Sequence, residues 1–198
     1  MNPLLHRTFA LLVAGVAGMA CSSVDFDKVP DDYGARFGQK LYRLHVVTAP
    51  APAGDARIGE MWSMMAKRYV NHHRDFIAKQ TSTAAALDAS ACGEGIEGVL
   101  HLSGQLSRTG GGAKVRVVGR LLACQSGAIV WEARVSDTWD ADDDNVTQLR
   151  AQYAREFGAH VEPYVAPSFH ALRELLDTLP RPKLVKDVDI DEKIEVGQ

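Results

Sequence analysis

The strongest constraint on this chain is the stretch 91–139, where apolar and polar residues alternate through three successive runs. In the first run Ile96, Leu100, Leu102 and Leu106 share one face, with Glu97, His101, Ser103 and Gln105 on the other. The second sets Val115, Val117 and Leu121 against Lys114, Arg116 and Arg120. The third sets Ile129, Trp131, Ala133 and Val135 against Glu132 and Arg134. A period of two marks strands with one buried and one wet face. Gly110-Gly111 offers the φ > 0 angles of a tight primed hairpin turn, and Gln125-Ser126-Gly127 a second turn. The stretch therefore predicts a three-stranded antiparallel meander over about 96–138, whose apolar side needs a cover.

Helical spacing supplies that cover. Ile58, Met61, Trp62, Met65 and Tyr69 fall on one side of a helix that Asp55 can cap, and Asn71-His72-His73 ends it. Residues 41–48 precede it as a first strand, with Tyr42, Leu44 and Val46 on a common face. Residues 75–79 fit either a second strand or a continuation of the helix, and 81–91 a loop or brief helical turn. The acidic run 140–144 lacks the glycine and terminal glutamate of a calcium-binding loop. It is better read as the capped start of a helix over about 145–157, with Val146, Leu149, Tyr153 and Phe157 inward. Gly158, Pro163 and Pro167 punctuate the chain before a last helix carrying Phe169, Leu172, Leu176 and Leu179, which Pro180-Arg181-Pro182 stops. The expected fold is a single α+β domain over 41–180, a mostly antiparallel sheet with helices packed on one face. A charged C-terminal tail, 181–198, follows it.

The N-terminus gives an address. One fixed positive charge, Arg7, precedes the apolar run TFALLVAGVAGMA, which is too short for a membrane span and ends in small residues. Residues 1–20 are therefore expected to be a signal peptide. The sequence AGMAC resembles a bacterial lipobox, with Gly18 where the pattern has leucine, and this implies a diacylglycerol-modified Cys21 as the mature N-terminus. Ser22, which is not aspartate, implies sorting to the outer membrane, the domain facing the periplasm or the cell surface. Residues 21–40, polar and without periodicity, are expected to form a tether. Loss of 1–20 removes Arg7 and no acid, taking the net charge from −3 to −4. Such a balance lacks the electrostatic footprint of a nucleic-acid binder.

Three cysteines are present, and an anchor at Cys21 leaves Cys92 and Cys124 as a pair. An exported domain meets an oxidising compartment, where a pair of this kind usually bridges. With Gly110-Gly111 as the turn, Cys124 falls opposite Glu97, and Gly93 and Gly95 can bend Cys92 back into reach. A metal or redox pair would show the CxxC spacing that is missing here. Cys92–Cys124 is the expected disulfide.

The segments GEMWSMMAKRYVNHHRDFIAK, CGEGIEGVLHL, RLLACQSGAIVWEA, EPYVAPSFHALRELLDTLP and EKIEVG resemble a family of uncharacterised lipoproteins from myxobacteria and leptospires. The resemblance spans nearly the whole mature chain, including Cys21, Cys92 and Cys124, and brings no activity or catalytic residue with it. In layout alone, a strand and helix followed by a hairpin with G-x-I-V-W is similar to the small α/β domains of two kinds of envelope lipoprotein. One kind activates penicillin-binding proteins and the other builds the curli secretion pore.

Motifs of chemistry are sparse. Neither a G-x-S-x-G elbow nor an H-E-x-x-H zinc motif occurs, and the glycine run 109–114 is followed by no Ser or Thr. His72-His73 point to different sides of a helix, where contact with helix-end carbonyls is the simpler role. His45 and His101 lie on strands and can approach each other across the sheet. The reading is of a lipid-anchored adaptor that binds an envelope protein partner and the membrane, with no cofactor, no metal and no catalysis. The alternative is an envelope enzyme whose site is assembled from distant segments.

Overall fold

The computed structural model describes residues 23–197; Cys21 and the expected signal segment 1–20 lie outside them. In chain order the elements are β1 (Val24–Lys28), α1 (Tyr33–Arg36), β2 (Arg43–Thr48), α2 (Ala56–His73) and β3 (Ile77–Thr83). There follow β4 (Gly98–Arg108), β5 (Gly112–Ala123), β6 (Ala128–Asp140), α3 (Thr147–Phe157), α4 (Glu162–Asp177) and α5 (Asp187–Val196). Six strands form one sheet in the order β1-β6-β5-β4-β2-β3. The meander β4–β5–β6 is antiparallel throughout, and β1 adds antiparallel to β6. Strand β2 runs parallel to both β3 and β4, because α2 carries the chain back across the sheet between β2 and β3. The sheet is thus mixed and mostly antiparallel.

Helices α2 and α4 cover one face. Leu44, Val46, Leu100, Leu102, Val115, Val117, Leu121, Ala133 and Val135 are fully buried beneath them. The helices contribute Ile58, Met61, Trp62, Val165, Leu172, Leu175 and Leu176. Asp55 caps α2 as its sequence predicts, accepting from Arg57 N at 2.8 Å. Two buried indoles find polar partners on or beside α4. Trp62 Nε1 donates to Ser168 Oγ at 2.8 Å, and Trp131 Nε1 to Thr178 O at 3.1 Å. The Trp131 ring presses against Gly119, where a Cβ would stand 2.4 Å from its Cη2, so only glycine leaves room for the ring at this point of the sheet.

Several expectations change. The expected tether 21–40 supplies the edge strand β1 and helix α1; Tyr33 in that helix and Phe37 just after it are buried. The expected tail 181–198 contains α5, docked on the chain. Within 75–79, Ile77–Lys79 open β3 and α2 ends at His73, so the strand alternative holds from Ile77 onward. Pro163 and Pro167 lie inside α4 rather than before it. Pro163 sits in the first turn, and Pro167 is buried against the core. Ile129 does not face the core: Val130 is an extra residue between the pairs Leu121↔Trp131 and Leu122↔Ile129, and the bulge turns Ile129 out to 47% exposure. Gly110-Gly111 is the hairpin turn, with Thr109 N donating to Gly112 O at 2.9 Å, yet neither glycine takes a left-handed φ. Gly127, at φ +66°, closes the second turn.

Candidate functional site

The two cysteines are joined: Cys92 and Cys124 form a disulfide with Cα atoms 5.7 Å apart. Cys124 N donates to Glu97 O at 2.9 Å, the register expected from the turn. The bridge clamps the connection between β3 and β4 onto the sheet face that α2 and α4 leave uncovered. There Ala84, Leu87, Ala91 and the two cysteines pack on Val47, Val99 and Leu122, a second, smaller core. The face expected to be wet is therefore dry at its β2–β4 end and open along β5, β6 and β1.

His45 and His101 lie on this face, one on β2 and one on β4, with Val47 and Val99 as their cross-strand partners. His101 is buried; its Nε2 lies 3.4 Å from Ala84 O and its Nδ1 has no partner. Burial pushes its pKa down, helped by the Arg120 charge and opposed by the Ala84 contact, so it is neutral. His45 Nδ1 donates to Ala91 O at 3.0 Å, and this leaves Nε2 to accept from Ser82 Oγ at 2.9 Å. The Ser82–His45 pair opens on a groove of about 400 Å³ that Asp88 also lines. Asp88 Oδ1 accepts instead from Ser90 N at 2.8 Å, so the pair lacks the carboxylate of a hydrolytic triad.

Sequence reasoning missed the densest polar cluster, which docks α5. Arg43 Nη2 donates to Asp189 Oδ1 at 2.6 Å, Nε to Glu192 at 2.9 Å and Nη1 to Glu97 at 3.3 Å. Tyr42 Oη donates to Asp189 Oδ2 at 2.8 Å, and Glu97 also accepts from Tyr42 N and Arg43 N. Lys79 pairs with Glu192. Burial alone would raise the Asp189 pKa, but Tyr42, Arg43 and Lys186 together hold it below the usual carboxylate value.

Lys193 Nζ donates to Val70 O (3.1 Å), Asn71 O (2.6 Å) and Phe76 O (2.7 Å). It thus occupies the negative end of α2, the role expected of His72-His73, which are exposed. Burial pushes the Lys193 pKa down to about 8. Helix α5 is accordingly docked inside out, with Asp189 buried and Val188, Ile190 and Ile194 exposed. No sequence signal pointed to this, because three of the four apolar residues of α5 are outer ones and only Val196 packs on the core.

The glycine run 109–114 is a hairpin, and Asp143 caps the turn before α3, accepting from Asn145 N at 2.8 Å and meeting His170 Nε2 at 2.7 Å. Among the described residues, no group of three His, Cys, Asp or Glu is placed to hold a metal ion. None of the helices described is long and apolar enough to cross a membrane.

Fold and site thus define a disulfide-clamped α+β domain with a charged, locked C-terminal helix. No protein-family model and no curated protein matches the chain. Among solved structures, the fold is similar to that of a PelC dodecamer from Paraburkholderia phytofirmans. The two are 16% identical with a TM-score of 0.53, over 80% of this chain and 97% of that one. A single-residue variant of that dodecamer matches at 16% identity and TM-score 0.48, over 72% and 91% of the two chains. TolB from Acinetobacter baumannii matches at 11% identity and TM-score 0.28, over 63% and 29%. The first match shows a shared fold; the other two add nothing to it.

Proposed function

We propose that the protein is a lipid-anchored accessory protein of the cell envelope, held at the outer membrane, that binds another envelope component as an adaptor and catalyses no reaction. Membership of the uncharacterised lipoprotein family that its motifs resemble is part of the same proposal. The observation that carries it is the position of Cys21. It stands two residues before Ser23, whose carbonyl already accepts from Ser136 N at 3.2 Å on the sheet. A lipid there would hold the domain at the bilayer on a leash of about 7 Å. The bridge Cys92–Cys124 suits an oxidising compartment, and the fold likeness to a PelC dodecamer supports a role in an assembly. The test is the intact mass of protein taken from native membranes, before and after reduction. A chain beginning at acylated Cys21 that gains two hydrogens on reduction supports the reading. An unacylated chain overturns it.

A second reading, an envelope hydrolase, is favoured by one observation, the Ser82–His45 pair held by Ala91 O. Labelling by a fluorophosphonate that Ser82→Ala abolishes would establish this reading in place of the adaptor. An unlabelled chain removes it.

A further inference from the structure

The open half of the uncovered sheet face is a cationic surface. Register places Lys28 beside Glu132 and Arg120, Phe26 beside Arg134 and Val118, Ser136 beside Arg116, and Thr138 beside Lys114. Five cations therefore share this face with two carboxylates: Glu132, which accepts from Arg120 Nη2 at 3.1 Å, and Asp140, opposite Gly112 at the end of β6. Lys28, Lys114 and Arg116 are exposed, and the Arg134 guanidinium lies over the Phe26 ring at 4.9 Å. Strand β4 adds the neutral Ser103, Gln105 and Ser107. The whole chain carries a net charge of −3, so this excess of cations is local, and the rest of the molecule is correspondingly acidic. Facing an anionic plane, such a distribution turns the cationic side inward and the acidic side away.

Where the chain enters the sheet decides which plane this is. Ser23 is bonded to Ser136, and Ser136 is the partner of Arg116, so the N-terminal segment joins the domain at the rim of the cationic face. Cys21 lies two residues further out, about 7 Å at full extension. A bilayer holding a lipid on Cys21 is then within reach of Lys28, Lys114, Arg116 and Arg134 at once.

We infer that this face is seated on an anionic phospholipid surface, with Lys28, Lys114, Arg116 and Arg134 against the headgroups. The orientation rests on the acylation proposed for Cys21; the attraction to anionic lipid does not. Seated so, the domain turns α2, α4 and the outer side of α5 toward the aqueous space, where a partner can reach them. The lipid supplies retention, and the cations supply a fixed pose.

The test uses the chain from Ser22 onward, which contains every described element and no acylation site. Its co-sedimentation with vesicles of phosphatidylcholine is compared with vesicles that also contain phosphatidylglycerol. Each Lys or Arg near an anionic surface raises partitioning about fivefold, so Lys114→Gln/Arg116→Gln should lower it about 25-fold. Both residues are exposed, and an unchanged unfolding midpoint confirms that the variant is folded. Preference for phosphatidylglycerol that salt and the double variant both remove is the expected result. Equal binding to both vesicles, an unaffected double variant, or capture of an acidic polysaccharide or acidic protein in preference to the vesicles overturns the inference. Native protein lacking acyl mass would sink the proposed anchor while leaving the vesicle result standing, so the two failures are distinct.

Discussion

Replacing both bridged cysteines, Cys92→Ser/Cys124→Ser, tests what the clamp contributes. The bridge closes a loop of 32 residues. Restricting an unfolded chain by a loop of this length is worth about 3.7 kcal/mol at 25 °C by the chain-entropy relation. For a domain of this size each kcal/mol moves the unfolding midpoint by roughly 2–4 °C, so the variant should melt about 7–15 °C below the wild type. Urea unfolding followed by tryptophan fluorescence is well placed to read it, since Trp62 and Trp131 are fully buried in the main core. The same variant frees the segment that covers Val47, Val99 and Leu122, so amide exchange across 84–92 should quicken. A loss under about 1 kcal/mol would refute the entropic reasoning. Faster exchange at 84–92 with an unmoved midpoint would show a clamp that acts only on the native state.

Other perturbations address the core and the docked helix. Asp189→Asn should loosen α5 and cost about 2 kcal/mol, moderated because Arg43 keeps Glu192 and Glu97, and it should show as faster amide exchange over 187–196. Since the folded pKa of Asp189 lies below its unfolded value, its contribution is complete above the usual carboxylate range and is lost as pH falls through the lower folded value. Acid titration of α5 exchange should therefore show undocking at low pH in the wild type, and a flatter profile in Asp189→Asn. Gly119→Ala would drive a methyl group into the Trp131 ring and Leu175, and should destabilise by about 1–3 kcal/mol in urea. Ser168→Ala leaves the buried Trp62 N–H unpaired at a cost of about 1–3 kcal/mol, measurable in the same assay. A null effect would mean that the indole has found another acceptor.

What could be read from the residues was local in character. The meander, both turns, the N-cap at Asp55 and the apolar stripe of α2 each depend on neighbours within one element or one hairpin. The Cys92–Cys124 bridge was legible for the same reason, because the turn at Gly110-Gly111 sets the register that brings Cys124 opposite Glu97. Ile129 escaped because a bulge shifts the alternation by one residue without any glycine or proline to announce it. Pro167 misled for the opposite reason, since a breaker is tolerated where the core pays its cost.

By itself, then, the sequence determined an α+β domain with a disulfide and a three-stranded meander. Alternation, turn chemistry and cysteine number are properties of short windows. Only the tertiary structure decided that β1 pairs with β6, that β2 runs parallel to both neighbours, and that α5 docks through Arg43 and Lys193. Strand direction leaves no mark on an alternating pattern. A helix held by ion pairs with residues 146 positions away hides its buried side behind charges that look solvated. The cationic face divides the same way: alternation puts Lys114, Arg116, Arg120 and Arg134 on the polar side of the meander, and only the pairing of β1 with β6 adds Lys28.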